Sequence, residues 1–142
     1  MKKQIVALMA LVTFGLSSCN KDDDRNLAED RPKTRVEILT EKSWNIESVK
    51  VTEESEHGSS EYEIPMPGTV TFNKDNTVLT RIPGEEDQVS VWALSDAGLN
   101  VDGELYTVVE LTETKLALYQ EVTEEDEELG EITYTTLMKM SR

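Results

Sequence analysis

Cys19 is the only cysteine in the 142-residue chain, and what precedes it gives its thiol a defined chemistry. Lys2 and Lys3, the apolar run over residues 5–16 and then Leu16-Ser17-Ser18-Cys19 read as a lipoprotein export signal ending in a lipobox. The implied chemistry is a diacylglyceryl thioether on the Cys19 sulfur, cleavage between Ser18 and Cys19, and a further acyl chain on the new amino terminus. The apolar run has 12 residues. A spanning helix needs about 20 to cross roughly 30 Å of hydrocarbon, so the segment directs export and is then removed. The alternative is an ordinary secretory signal that happens to end near a cysteine. A lone cysteine makes no internal disulfide, and no second cysteine or histidine cluster offers it a metal. Each buried methylene contributes about 0.8 kcal/mol, so two or three acyl chains give a durable anchor where one gives a marginal one.

Other reactive residue types lack the spacing that catalysis needs. His57 is the single histidine and sits in the polar segment 53–60, with no serine or cysteine motif placed to use it; it reads as a solvated loop residue. Glu85-Glu86-Asp87 and the acidic run 124–128 offer carboxylates. They lack the alternating oxygen ligands and the glycine of a calcium loop, so they read as hairpin tips kept soluble by charge. A pair of glycosidase carboxylates stays open on sequence alone, although a domain this small implies no deep cleft. The expectation is no enzyme, no cofactor and no bound metal. Without Lys2 and Lys3 the chain has 12 basic against 29 acidic residues, a formal charge of −17. No lysine and arginine cluster exists to displace counterions, which excludes nucleic acid, whereas cationic ligands and basic partners are favoured.

These residues imply three parts: the signal 1–18, a lipidated cysteine with an acidic flexible tether over 19–34, and a folded domain over 35–142. The tether has Pro32 and almost no apolar residues, so it cannot bury a core. Val36 and Leu39 at helical spacing predict one or two turns over residues 36–42. Beyond them the pattern is strand. Trp44, Ile46 and Ser48 alternate with polar residues, and Val49 with Val51 then marks a bulge or a change of phase. Segment 53–60 reads as polar and mobile. Tyr62 and Ile64 form a short strand closed by Pro65 and Pro67. Asn73-Lys74-Asp75-Asn76 turns Val70 and Phe72 into a hairpin with residues 77–82, and Pro83-Gly84 starts the next turn. Residues 89–94, 99–101, 105–111, 115–122 and 131–140 complete the set, with 124–130 as the last turn. Eight or nine short strands joined by tight turns predict an all-β, antiparallel up-and-down meander that closes into a barrel of about eight strands after a short N-terminal helix. A two-sheet sandwich is the alternative.

Two stretches resemble known patterns. Asn20-Lys21-Asp22-Asp23-Asp24 is similar to the surface-export signals of some Gram-negative lipoproteins, which implies an outer-membrane anchor displayed at the cell surface. A solvated spacer facing the periplasm is the alternative. Leu39, Lys42-Ser43-Trp44, Thr71-Phe72-Asn73-Lys74-Asp75-Asn76-Thr77, Trp92-Ala93-Leu94-Ser95-Asp96 and Tyr106 through Leu111 to Leu116 and Leu118 resemble the bacterial lipocalin-like domain family over nearly all of residues 39–140. The resemblance implies a small up-and-down barrel on a secreted lipoprotein, with the first-strand tryptophan plugging one end. One position departs: Lys42 stands where lipocalins proper carry glycine.

Trp44, Phe72, Trp92, Tyr106, Tyr119 and Tyr134 are the candidates for contact with a ligand, although aromatics in strands are more often core. Two functions follow. In one, the barrel mouth takes a small apolar or amphipathic ligand; in the other, a filled barrel docks an envelope complex, a host protein or a protease. A cavity above about 300 Å³ favours the first, and a filled barrel with an exposed apolar patch favours the second.

Overall fold

Alternation and turn chemistry divide residues 31–142 into one short helix and nine strands: α1 (Arg35–Thr40), β1 (Trp44–Ser55), β2 (Gly58–Ile64), β3 (Thr69–Phe72), β4 (Thr77–Arg81), β5 (Gln88–Ser95), β6 (Gly98–Val101), β7 (Glu104–Leu111), β8 (Lys115–Asp126) and β9 (Gly130–Ser141). The computed structural model describes residues 31–142. The expectations for Ser18, Cys19, Lys21, Asp22, Asp23 and Asp24 lie outside the described residues.

Every pairing is antiparallel, and β9 returns to β1, so β1, β3, β4, β5, β6, β7, β8 and β9 form a closed eight-stranded up-and-down barrel. Within the barrel, closure removes the exposed edges that an open meander of this size would leave. The sandwich alternative is therefore set aside. β2 and β3 behave as one strand interrupted by Pro65-Met66-Pro67-Gly68. Both pair with the same edge of β1, β2 along residues 49–55 and β3 at Trp44 and Asn45. Two prolines cannot donate ladder hydrogen bonds, which accounts for the break.

The connections follow local chemistry. Ser55 Oγ accepts from the His57 backbone N–H at 3.2 Å, and Ser95 Oγ accepts from that of Ala97 at the same distance. Each of these turns ends in a glycine at positive φ, Gly58 and Gly98. Asp102 and Gly103, both at positive φ, make the two-residue turn that matches strand twist between β6 and β7. At the helix, Thr34 Oγ1 accepts from the Glu37 N–H at 3.2 Å while Glu37 Oε2 accepts from the Thr34 N–H at 2.7 Å, a reciprocal cap.

Three local expectations change. Segment 53–60 is a hairpin rather than a mobile loop: β1 runs to Ser55 and β2 begins at Gly58, because β9 supplies partners to β1 as far as Ser55. The acidic run 124–130 is mostly strand, since β8 continues paired to β9 as far as Asp126↔Gly130. Polar residues on both faces hide the alternation there. The phase change in β1 falls between Ile46 and Ser48, so Val49 and Val51 both point inward and are buried.

β8 pairs with β7 only as far as Tyr119, and β4 pairs with β3 only as far as Arg81. Beyond these points β2, β1, β9 and β8 continue as a four-stranded extension of the wall. The core lies below it, built from Leu39, Trp44, Phe72, Trp92, Leu99 and Leu116 with their neighbours.

Candidate functional site

The two ends of the barrel differ in chemistry. At the closed end Trp44 is 0% exposed, and its indole Nε1 donates to the Leu39 carbonyl at 3.0 Å, tying β1 to the helix. The Arg142 guanidinium lies 4.3 Å from the centroid of the Trp44 ring, a cation–π arrangement. Arg142 also donates to the Glu113 carbonyl and pairs with Glu41 at 3.3 Å. Lys33 joins the same group, 2.8 Å from Glu41 and 3.2 Å from Glu113. A hydrogen bond from Lys33, opposed by a smaller desolvation effect, holds the Glu41 carboxyl below the usual carboxylate range. This end is sealed.

At the other end the walls enclose an apolar recess of about 160 Å³. Phe72, Val78 and Leu118 form its floor and walls, Met138 and Met140 enter from β9, and Tyr106 and Thr80 bring the polar atoms. Phe72 is held edge-on against Trp92, with ring centroids 5.7 Å apart and planes at 85°. Trp92 is fixed in turn by its Nε1, which donates to the Asn73 carbonyl at 3.0 Å, and by its own carbonyl, which accepts from Asn76 Nδ2 at 3.2 Å. The floor of the recess is thus positioned by the β3–β4 turn. Burial, and secondarily the charge of Glu104, push the Tyr106 phenol up. It therefore stays protonated and can donate a hydrogen bond to a ligand. Two residues further along the same inward faces, Gln120 Nε2 donates to Glu104 Oε2 at 2.9 Å, which places a charged rim above an apolar cup.

Of the six aromatic candidates, the structure brings Phe72 and Tyr106 into the recess and sets Trp92 directly behind Phe72. Trp44 does not reach it, because it plugs the opposite end. Tyr119 does not reach it either: the neighbouring Leu118 points inward, so Tyr119 faces out, where its hydroxyl donates to Glu121 at 2.8 Å. Tyr134 shares the inward face of the extension through its register with Val122 and Glu53. Burial, with Glu53 and Glu124 nearby, raises its pKa. The methionines were not singled out from sequence. The signal was present, since Met138 and Met140 share the inward phase of Leu118 and Leu116 across the β8–β9 ladder. Met66 reaches the recess from between the two prolines, a placement that no periodicity encodes.

His57 sits exposed in the β1–β2 turn. Among the described residues, no group of three His, Cys, Asp or Glu side chains is placed to hold a metal ion. Compared with known proteins, the chain matches no family model, no curated protein and no solved structure.

Proposed function

We propose that this chain is a non-catalytic, envelope-anchored lipoprotein of lipocalin-like type whose barrel mouth holds the apolar part of a small ligand. The observation that carries the reading is the recess lined by Phe72, Tyr106, Leu118, Met138 and Met140; at about 160 Å³ it falls short of the roughly 300 Å³ that would hold a whole ligand, so it takes only part of one. Drug-sized ligands occupy pockets of roughly 300–1,000 Å³, whereas an apolar cavity near 150 Å³ accepts a single ring such as benzene. The recess therefore suits one ring-sized or short branched apolar group, with the rest of the ligand outside at the Gln120–Glu104 rim. Methionine supports this use, because its unbranched, polarisable side chain adapts to differently shaped apolar surfaces. The anchor at Cys19 and display at the cell surface through Lys21, Asp22, Asp23 and Asp24 rest on the sequence, with a periplasmic-facing anchor as the alternative.

Native mass spectrometry of the full chain purified from its own envelope tests the proposal. A stoichiometric small molecule that leaves on denaturation, and that is absent from a Met138→Trp variant filling the recess, is the expected result. Retention of the same molecule by a folded Met138→Trp protein would overturn it. A second reading, a filled barrel that docks a protein partner, is favoured by exposed apolar side chains on β5 and β7. Val89 is 68% exposed, Val91 60% and Leu105 50%. An empty wild-type protein would shift weight to that reading.

A further inference from the structure

Strand β2 has one paired edge and one free edge. Among the described residues it pairs only with β1, whereas the collinear β3 is covered by β4 through Thr69↔Arg81 to Phe72↔Val78. The backbone groups of β2 that face away from β1 are thus a row of donors and acceptors at strand spacing with no strand partner. Proteins normally blunt such an edge with proline, charged side chains, a bulge or extreme shortness, and of these β2 carries only the carboxylates of Glu61 and Glu63, which repel an acidic strand but not a basic one. Across its seven residues β2 has no proline, no lysine and no break in register, from Val49↔Ile64 to Ser55↔Gly58.

What β2 does carry is a sided pattern. Tyr62 and Ile64 lie on the inward face, opposite the buried Val51 and Val49, and Tyr62 keeps 46% of its surface exposed. Glu61 and Glu63 lie on the outward face. Lys50 pairs with Glu61 at 2.8 Å, and Glu63 has no ion pair among the described residues. A chain added to this edge would find apolar contacts on one face and carboxylates on the other.

We propose that the free edge of β2 is a strand-addition site for an extended segment of a partner protein in which basic and apolar residues alternate. Main-chain hydrogen bonds to β2 would supply affinity, and the alternating faces would set register. The strongly acidic chain, with a formal charge of −15, draws basic segments toward it. A second copy of this chain is the disfavoured occupant, because β2 against β2 sets one pair of Glu61 and Glu63 side chains beside another. The inference is independent of the recess.

Three fluorescent peptides titrated against the full chain at about 0.15 M salt, where charges further apart than about 8 Å are largely screened, test it. The first alternates lysine and valine; the second has the same composition in two blocks; the third is the first with its backbone N-methylated at alternate residues. The alternating peptide is expected to bind about tenfold or more tightly than the other two. It should also slow hydrogen exchange at β2 amides and weaken on Glu61→Lys with Glu63→Lys. Equal binding of all three peptides would reduce the effect to net charge and overturn the proposal. So would no binding, protection confined to other strands, or a dimer that pairs through β2.

Discussion

Trp44 joins three parts of the molecule through one side chain. Its ring fills the closed end, its N–H holds the Leu39 carbonyl, and its face receives the Arg142 guanidinium. Trp44→Ala should therefore destabilise the domain by about 3–5 kcal/mol, the range for deleting a large aromatic from a core, as measured by urea denaturation. Asp126 works locally: Oδ1 accepts from the Glu128 N–H at 2.8 Å and the Leu129 N–H at 2.9 Å, which closes the β8–β9 turn. These bonds, the first to Glu128, lower its pKa below the ordinary 3.8. Because the folded value lies below the unfolded one, the contribution is present above pH 3.8 and is lost as the pH falls through the folded value. The stability difference between the wild type and Asp126→Ala should then shrink in acid titrations below pH 3.8. A gap that stays constant down to pH 2 would show that the carboxylate's charge is not what holds the turn.

At the scale of elements, two turns with the same Ser-x-x-Gly chemistry make a controlled comparison. Gly58 and Gly98 have φ of 139° and 144°. A Cβ at Gly58 meets nothing within 4 Å, whereas one at Gly98 would lie 2.3 Å from the Tyr106 carbonyl oxygen. Gly58→Ala should cost only backbone strain, of order 1–3 kcal/mol, and Gly98→Ala should cost measurably more, since the β6–β7 ladder must also move. Thermal melts of the two variants decide it, and equal losses would mean that the close approach is absorbed without cost. Much of this level was legible. The Asn73-Lys74-Asp75-Asn76 and Pro83-Gly84 turns stand where turn residues predict them, and the strands beside them follow. The polar ends of β1, β2 and β8 were not legible. Strands without a buried face have no alternation to read, and their pairing depends on neighbours distant in sequence.

The whole molecule sets a barrel sealed at the Trp44 end, with an apolar recess at the other, against a carboxylate-rich extension. The excess of 29 acidic over 14 basic residues makes self-repulsion a general term in its stability, concentrated around Glu53, Glu54, Glu121, Glu124, Glu125 and Asp126. The Lys33, Glu41 and Arg142 group at the closed end works the other way: Lys33 and Glu41 are exposed and screened by solvent, whereas the Arg142 side chain is only 6% exposed, against Trp44. Raising ionic strength from about 0.01 to 1 M shortens the Debye length from about 30 to 3 Å, so the melting temperature should rise as repulsion is screened. Amides in the extension should gain the most protection in hydrogen exchange. A fall in melting temperature would show that the ion pairs outweigh the repulsion.

The short helix, the antiparallel meander and most of its turns follow from the sequence by itself, the β1–β2 hairpin and the paired end of β8 excepted. They depend on contacts between near neighbours: alternation, capping and the φ preferences of Gly, Asn and Asp. The tertiary structure decided which aromatics face inward, because a bulge such as the one after Ile46 or at Val109 reverses every side chain beyond it. It also decided that Met66, Met138 and Met140 rather than Trp44 and Tyr119 line the recess, and that β2 keeps a free edge. These outcomes depend on barrel closure between β1 and β9, segments roughly ninety residues apart, and pairing over that separation leaves no local trace in either segment.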